Sequence, residues 1–140
     1  MAEESAADRD PARFRPWLKK EDPEELTYTV SLTLENQCGL DEKTITQLTD
    51  DIFVRARLRN PQRIDQLTLS TTVECTRRGR LLMYYVAVEY ARLDENNIFV
   101  RYGERPWVTL KMGSEEELMR DIKERIEEAM TAYLRVNFDL

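Results

Sequence analysis

Apolar and polar residues alternate along Leu26–Glu35. Leu26, Tyr28, Val30, Leu32 and Leu34 fall on one face, and Thr27, Thr29, Ser31 and Thr33 on the other. A period of two sends successive side chains to opposite faces of a strand, so this stretch reads as a half-buried first strand. After a turn at Gly39 the period changes. Asp41 stands as an N-cap with Glu42 in the first turn, and Ile45, Leu48, Ile52 and Ala56, widened by Phe53, repeat at helical spacing. Asn60-Pro61 ends that helix near Arg59, because proline disfavours the helical conformation of the residue before it. Alternation returns over Ile64–Thr76, with Leu67, Leu69, Thr71, Val73 and Cys75 in phase.

Leu81–Tyr90 (LLMYYVAVEY) breaks the alternation. One face carries Leu82, Tyr84, Val86, Val88 and Tyr90; the other carries Leu81, Met83, Tyr85, Ala87 and Glu89. A strand with water on one side would be polar there, so this one reads as a central strand covered on both faces. Arg77-Arg78-Gly79-Arg80 turns the chain into it and Asp94–Asn97 turns it out again. Ile98–Tyr102 is a short strand, residues 103–106 interrupt it, and Trp107–Met112 is a fifth strand or an edge continuation. Ser114–Glu117 is a capping box opening a helix with Leu118, Ile122, Ile126, Ala129, Met130 and Tyr133 on one stripe. Val136, Phe138 and Leu140 alternate, as in a small edge strand at the C-terminus.

The order β-α-β-β-β-(β)-α predicts an α+β fold. It consists of an antiparallel sheet of four to five strands, two helices on one face, and the C-terminal amphipathic helix packed on the sheet. Residues 26–140 form the domain. Residues 1–25, interrupted by Pro11, Pro16 and Pro23, read as a flexible N-terminal arm. The central strand's second face then needs a cover. The arm, sheet curvature or a partner subunit could supply it, and a symmetric homodimer is the expectation.

Composition narrows the function. The 140 residues hold no histidine, which removes the commonest general acid–base group, the Ser-His and Cys-His pairs and most transition-metal sites. No nucleophile-and-base pair, phosphate-cradling glycine pattern, metal site or cofactor motif is present, so the chain is expected to be no enzyme. Asp50 and Asp51 lie off the apolar stripe of the first helix and read as solvated. The N-terminus is acidic with no apolar core of a leader, and no run is long enough to span a bilayer, so a cytoplasmic location away from membranes is expected. Cys38 and Cys75 are accordingly expected as thiols, with Cys75 buried and inert.

The net charge of −6 argues against coating nucleic acid by bulk electrostatics. Between residues 55 and 105, however, every basic side chain is an arginine. Arg77, Arg78 and Arg80 cluster at the hairpin tip, with Arg101 and Arg105 as candidate neighbours, and the planar guanidinium suits carboxylate and phosphate contacts. Solvation of an exposed turn is the alternative role for them. In the arm, Phe14, Trp17 and Leu18 stand at i, i+3, i+4, as an anchor for a partner's groove or for this domain's own surface. Arg15-Pro16-Trp17 and Arg105-Pro106-Trp107 repeat one tripeptide without flanking similarity. The expected function is a non-catalytic protein-binding adaptor or assembly subunit that self-associates. Nucleic-acid backbone binding through the arginine hairpin and binding of an apolar small ligand between sheet and helix are the alternatives.

Overall fold

The computed structural model describes residues 18–33, 37–62, 67–93, 99–101 and 107–138. Strand β1 (Thr27–Leu32) leads into helix α1 (Glu42–Arg55), followed by strands β2 (Leu67–Arg78), β3 (Leu81–Leu93), β4 (Phe99–Arg101) and β5 (Trp107–Gly113) and helix α2 (Glu115–Phe138). The five strands form one sheet in the order β1-β2-β3-β4, with β5 also on β3. Strands β4 and β5 follow one another along the same edge of β3: Ala91–Leu93 faces β4, and Leu82–Val88 faces β5. Trp107–Gly113 is thus the edge continuation that the sequence offered, and β3 is the central strand.

The expected all-antiparallel sheet is corrected at one pairing. Strand β1 runs parallel to β2, in register from Thr27↔Thr68 to Leu32↔Val73, so the sheet is mixed. Parallel neighbours need a long crossover, and α1 is that crossover. The remaining pairs, β2–β3, β3–β4 and β3–β5, are antiparallel. Between β2 and β3 only Gly79 and Arg80 are unpaired, and Gly79 has φ +61°. Positive φ at the first turn residue alone is the type II′ pattern, which matches the twist of a hairpin.

Helix α1 opens as its sequence implies, with the Asp41 carboxylate accepting from the Thr44 N–H at 2.9 Å. It ends at Arg55, before the expected Arg59. The Leu58 N–H donates to the Phe53 carbonyl at 2.9 Å and the Arg57 N–H to the Val54 carbonyl at 3.1 Å. These are the paired bonds of a Schellman ending, with buried Leu58 as its apolar contact. Arg57 occupies the left-handed position at φ 59°, where glycine is the usual residue. Arg57→Gly is therefore expected to raise stability by about 1 kcal/mol, read as a higher thermal midpoint. An unchanged or lowered midpoint would show that the entropy lost by glycine outweighs the relieved strain.

Both helices cover the sheet face that carries Tyr28, Leu69, Val73, Leu82, Tyr84, Val86, Val88 and Tyr90, and the core lies between them. Tyr90 is fully enclosed. Its ring stacks on Tyr133 at 6.3 Å and meets Trp107 edge-on at 5.8 Å, and its hydroxyl donates to the Ala129 carbonyl at 2.8 Å. Helix α2 runs unbroken to Phe138, so Val136 and Phe138 belong to the helix rather than to the small edge strand their alternation suggested. Val136 is buried near its end, and so short an alternation yields to the helical bonds already running; Leu140 lies outside the described residues.

The N-terminal segment is tied down further upstream than residue 26. Leu18 is only 2% exposed and sits in the core. The Asn137 side chain donates to the Leu18 carbonyl at 2.7 Å and accepts from the Lys20 N–H at 2.9 Å, while the Tyr133 hydroxyl donates to the Pro23 carbonyl at 2.6 Å. Residues 18–25, expected as part of the arm, are thereby laced to α2. Two bonds from one amide side chain replace the backbone partners that a loose segment would seek in water.

The two cysteines are joined. Cys38 and Cys75 form a disulfide, which overturns the expectation of free thiols and of an inert Cys75. Cys75 does lie in the buried phase of β2, but the 37–41 loop brings Cys38, itself fully buried, against it. The same corner is closed by further contacts. The Arg77 guanidinium pairs with Glu115 at 2.6 Å, and the Arg77 N–H donates to the Gln37 side chain. Gly39, at φ +78°, passes so close to the Glu115 carboxylate that a side chain there would collide with it.

Candidate interaction surface

Period two divides each strand between the helix-covered face and an outer face on which neither helix packs. The outer face takes Thr27, Thr29 and Ser31 from β1 and Thr68, Ser70, Thr72, Glu74, Thr76 and Arg78 from β2. From β3 it takes Leu81, Met83, Tyr85, Ala87, Glu89 and Ala91, and from β5 Val108, Leu110 and Met112. Its two ends differ. Thr68, Ala87, Glu89 and Ala91 are buried, whereas Leu81, Met83, Leu110 and Met112 are exposed.

The register makes the exposed apolar residues one patch. Met83 lies opposite Met112, Tyr85 opposite Leu110 and Ala87 opposite Val108. Directly opposed residues of an antiparallel pair have Cβ atoms about 5 Å apart, so the two rows touch along their length. Leu110 is 70% exposed, Met112 50% and Met83 46%. A β2 row of Thr72, Glu74, Thr76 and Arg78 bounds the patch on one side. Single exposed apolar residues such as Val54 on α1 are ordinary; a contiguous group on a sheet face marks a binding surface.

Among the described residues, the arginines singled out from the sequence are not all brought to one place. Arg77 faces the helix side opposite Leu82 and is engaged by Glu115, while Arg78 faces the outer side opposite Leu81. Arg80 is exposed in the turn. The backbone of Arg101 pairs with Ala91, roughly 33 Å along β3 from Leu81 at the usual strand rise. The return of β4 along β3 carries it away from the tip, which corrects the expected proximity. Arg105, Phe14 and Trp17 lie outside the described residues. Leu18 packs into this domain's own core. The patch residues on β5 were missed as a site because Val108, Leu110 and Met112 read equally well as a core-facing row. The unsatisfied second face of β3 was the signal that pointed to them.

Two tyrosine–carboxylate pairs lie on the covered face. The Tyr84 hydroxyl donates to Asp121, which also pairs with Lys111 at 3.1 Å. Burial first, and then the Asp121 hydrogen bond and charge, push the Tyr84 phenol up to about 12. The Tyr28 hydroxyl donates to Asp50, and burial followed by the Asp50 bond raises Tyr28 as well. Asp50 is therefore half-buried and engaged, against its expected solvation; Asp51 is exposed and accepts from Gln47 at 3.0 Å. A raised phenol pKa is the opposite of what activates a tyrosine as base or nucleophile.

Among the described residues no group of three or more histidine, cysteine or carboxylate side chains is placed to hold a metal ion, and no helix is long and apolar enough to cross a membrane. A cavity of about 330 Å³ lies between Glu21–Glu25 and Arg59. Its lining is polar, and it lies apart from the interface of sheet and α2 where an apolar ligand was expected. Comparisons with protein-family models, with curated proteins and with solved structures return no match for this chain.

Proposed function

We propose that this chain is a non-catalytic protein-binding subunit that assembles with itself through the outer face of its sheet. The observation that carries the proposal is the patch formed by Leu81, Met83 and Tyr85 on β3 with Val108, Leu110 and Met112 on β5. Burying apolar area there contributes roughly 25 cal/mol per Å² before the costs of association, so a partner that covers it gains directly. The arginine hairpin supports nucleic-acid binding less well, because Arg77 is engaged by Glu115 and Arg78 borders the apolar patch. A cytoplasmic location fits only if the Cys38–Cys75 bond is transient or regulated there, since cytosolic thiols are kept reduced.

Light scattering after size exclusion tests the proposal. The wild-type chain is expected at about twice its 16.6 kDa mass, and Leu110→Asp near the single-chain mass with an unchanged circular dichroism spectrum. Leu110 is exposed enough that the substitution leaves the fold intact. A wild-type chain that stays monomeric at high concentration would remove self-association.

A further inference from the structure

Beside the apolar patch, the outer side of β2 carries one carboxylate and one guanidinium. Glu74 lies opposite Tyr85 and Arg78 opposite Leu81, both exposed, and among the described residues neither takes part in an ion pair. They stand symmetrically about Thr76, which lies opposite Met83, which in turn lies opposite Met112. A line across the strands through Thr76, Met83 and Met112 therefore has an acid on one side and a base on the other. Along β2 the two charges are roughly 13 Å apart at the usual strand rise.

That placement is self-complementary. A symmetric dimer requires that when residue i of one copy meets residue j of the other, j also meets i. A two-fold axis along the Thr76–Met83–Met112 line, with the outer faces of two copies packed together, satisfies this. It reverses the strand direction and lays Glu74 of each copy over Arg78 of the other. Met83 then meets its own counterpart, and Leu81 of one copy meets Tyr85 of the other. Face-to-face sheets pack about 10 Å apart, a gap that an arginine and a glutamate side chain reaching toward each other can span.

We infer that the occupant of the outer face is a second copy of this chain, in a face-to-face sandwich closed by two reciprocal Glu74–Arg78 ion pairs. This inference rests on the proposed self-association and adds its geometry. Leu81, Met83 and Tyr85 of β3 with Met112 of β5 supply the apolar contact. The two charge pairs set register and orientation, as charges at the rim of an interface do.

Charge reversal tests it. In a Glu74→Arg chain both contacts become Arg–Arg, and in an Arg78→Glu chain both become Glu–Glu. Each variant alone is expected to weaken the dimer about ten-fold or more, the effect of roughly 1.4 kcal/mol. An equimolar mixture of the two restores opposite charges at both contacts and is expected to recover wild-type affinity. The double variant Glu74→Arg/Arg78→Glu recovers it as well. Sedimentation equilibrium on the four samples and the wild type reads the result, with circular dichroism confirming folding. Unchanged dimers in the single variants, or a mixture that stays as weak as its components, would overturn the sandwich geometry. If Leu110→Asp still dissociates the dimer in that case, the outer face stands as the binding surface. A monomeric wild type would overturn the inference together with the self-association beneath it.

Discussion

A chain carrying both Cys38→Ala and Cys75→Ala is expected to unfold roughly 10–15 °C below the wild type, a loss of about 4 kcal/mol. The disulfide joins residues 37 positions apart, and closing a loop of that length removes conformational entropy from the unfolded chain. The effect acts mainly on the unfolded state, so the loss is expected even where the folded corner keeps its shape through Arg77–Glu115 and Gln37. Wild-type protein equilibrated with a reductant should melt at the temperature of the double variant, and the variant should not respond to reductant at all. Equal midpoints for oxidised and reduced wild type would mean that the cross-link contributes nothing. Alanine is the right replacement because Cys38 is fully buried and Cys75 nearly so. A serine hydroxyl left unpartnered there would add its own cost.

Removing the Asp121 carboxylate is the second large effect. Asp121→Ala leaves the Tyr84 hydroxyl, in a side chain 1% exposed, without its acceptor, and takes from Lys111 its nearest acid. The expected loss is about 3 kcal/mol, or roughly 10 °C in thermal midpoint. A loss well under 1 kcal/mol would mean that water reaches the Tyr84 hydroxyl and replaces the carboxylate. The same group gives the protein an acid-sensitive limb. Burial by itself would raise the Asp121 pKa, but hydrogen bonds from Tyr84 and Lys111 and the charges of Lys111 and Arg120 outweigh it and hold the carboxyl below its ordinary 3.8. A carboxyl that binds its proton more weakly when folded stabilises the fold fully above its unfolded pKa. That stabilisation fades as the pH falls from about 4 through the lower folded value. Denaturation across that window should show wild type and Asp121→Asn converging as the pH drops. A constant difference between them would assign the acid limb to other carboxylates.

What could be read along the chain follows from local rules. Helical spacing and the Ser114 cap located α2, whose Glu117 N–H donates to the Ser114 hydroxyl oxygen at 3.1 Å. Alternation located β1 and β2, Gly79 marked the hairpin, and the two-sided apolarity of β3 identified the central strand. These signals are short-range: a side-chain period or a backbone preference is settled within a few residues.

The tertiary structure decided whatever depends on distant residues meeting. A strand's alternation is the same whether its neighbour runs parallel or antiparallel, so the direction of β1 against β2 emerged only with α1 crossing between them. Cys38 and Cys75 are joined because a loop closes on a strand, which neither local sequence announces. Arg77 and Arg78 are adjacent in sequence yet lie on opposite faces, while Arg101 is carried to the far end of β3. The outer patch likewise exists only through the β3–β5 register, which sets Met83 beside Met112 and Tyr85 beside Leu110. Sequence by itself determined which residues are apolar and at what period. Only the pairing of strands determined which of them are left uncovered, because exposure belongs to the surface the elements make together.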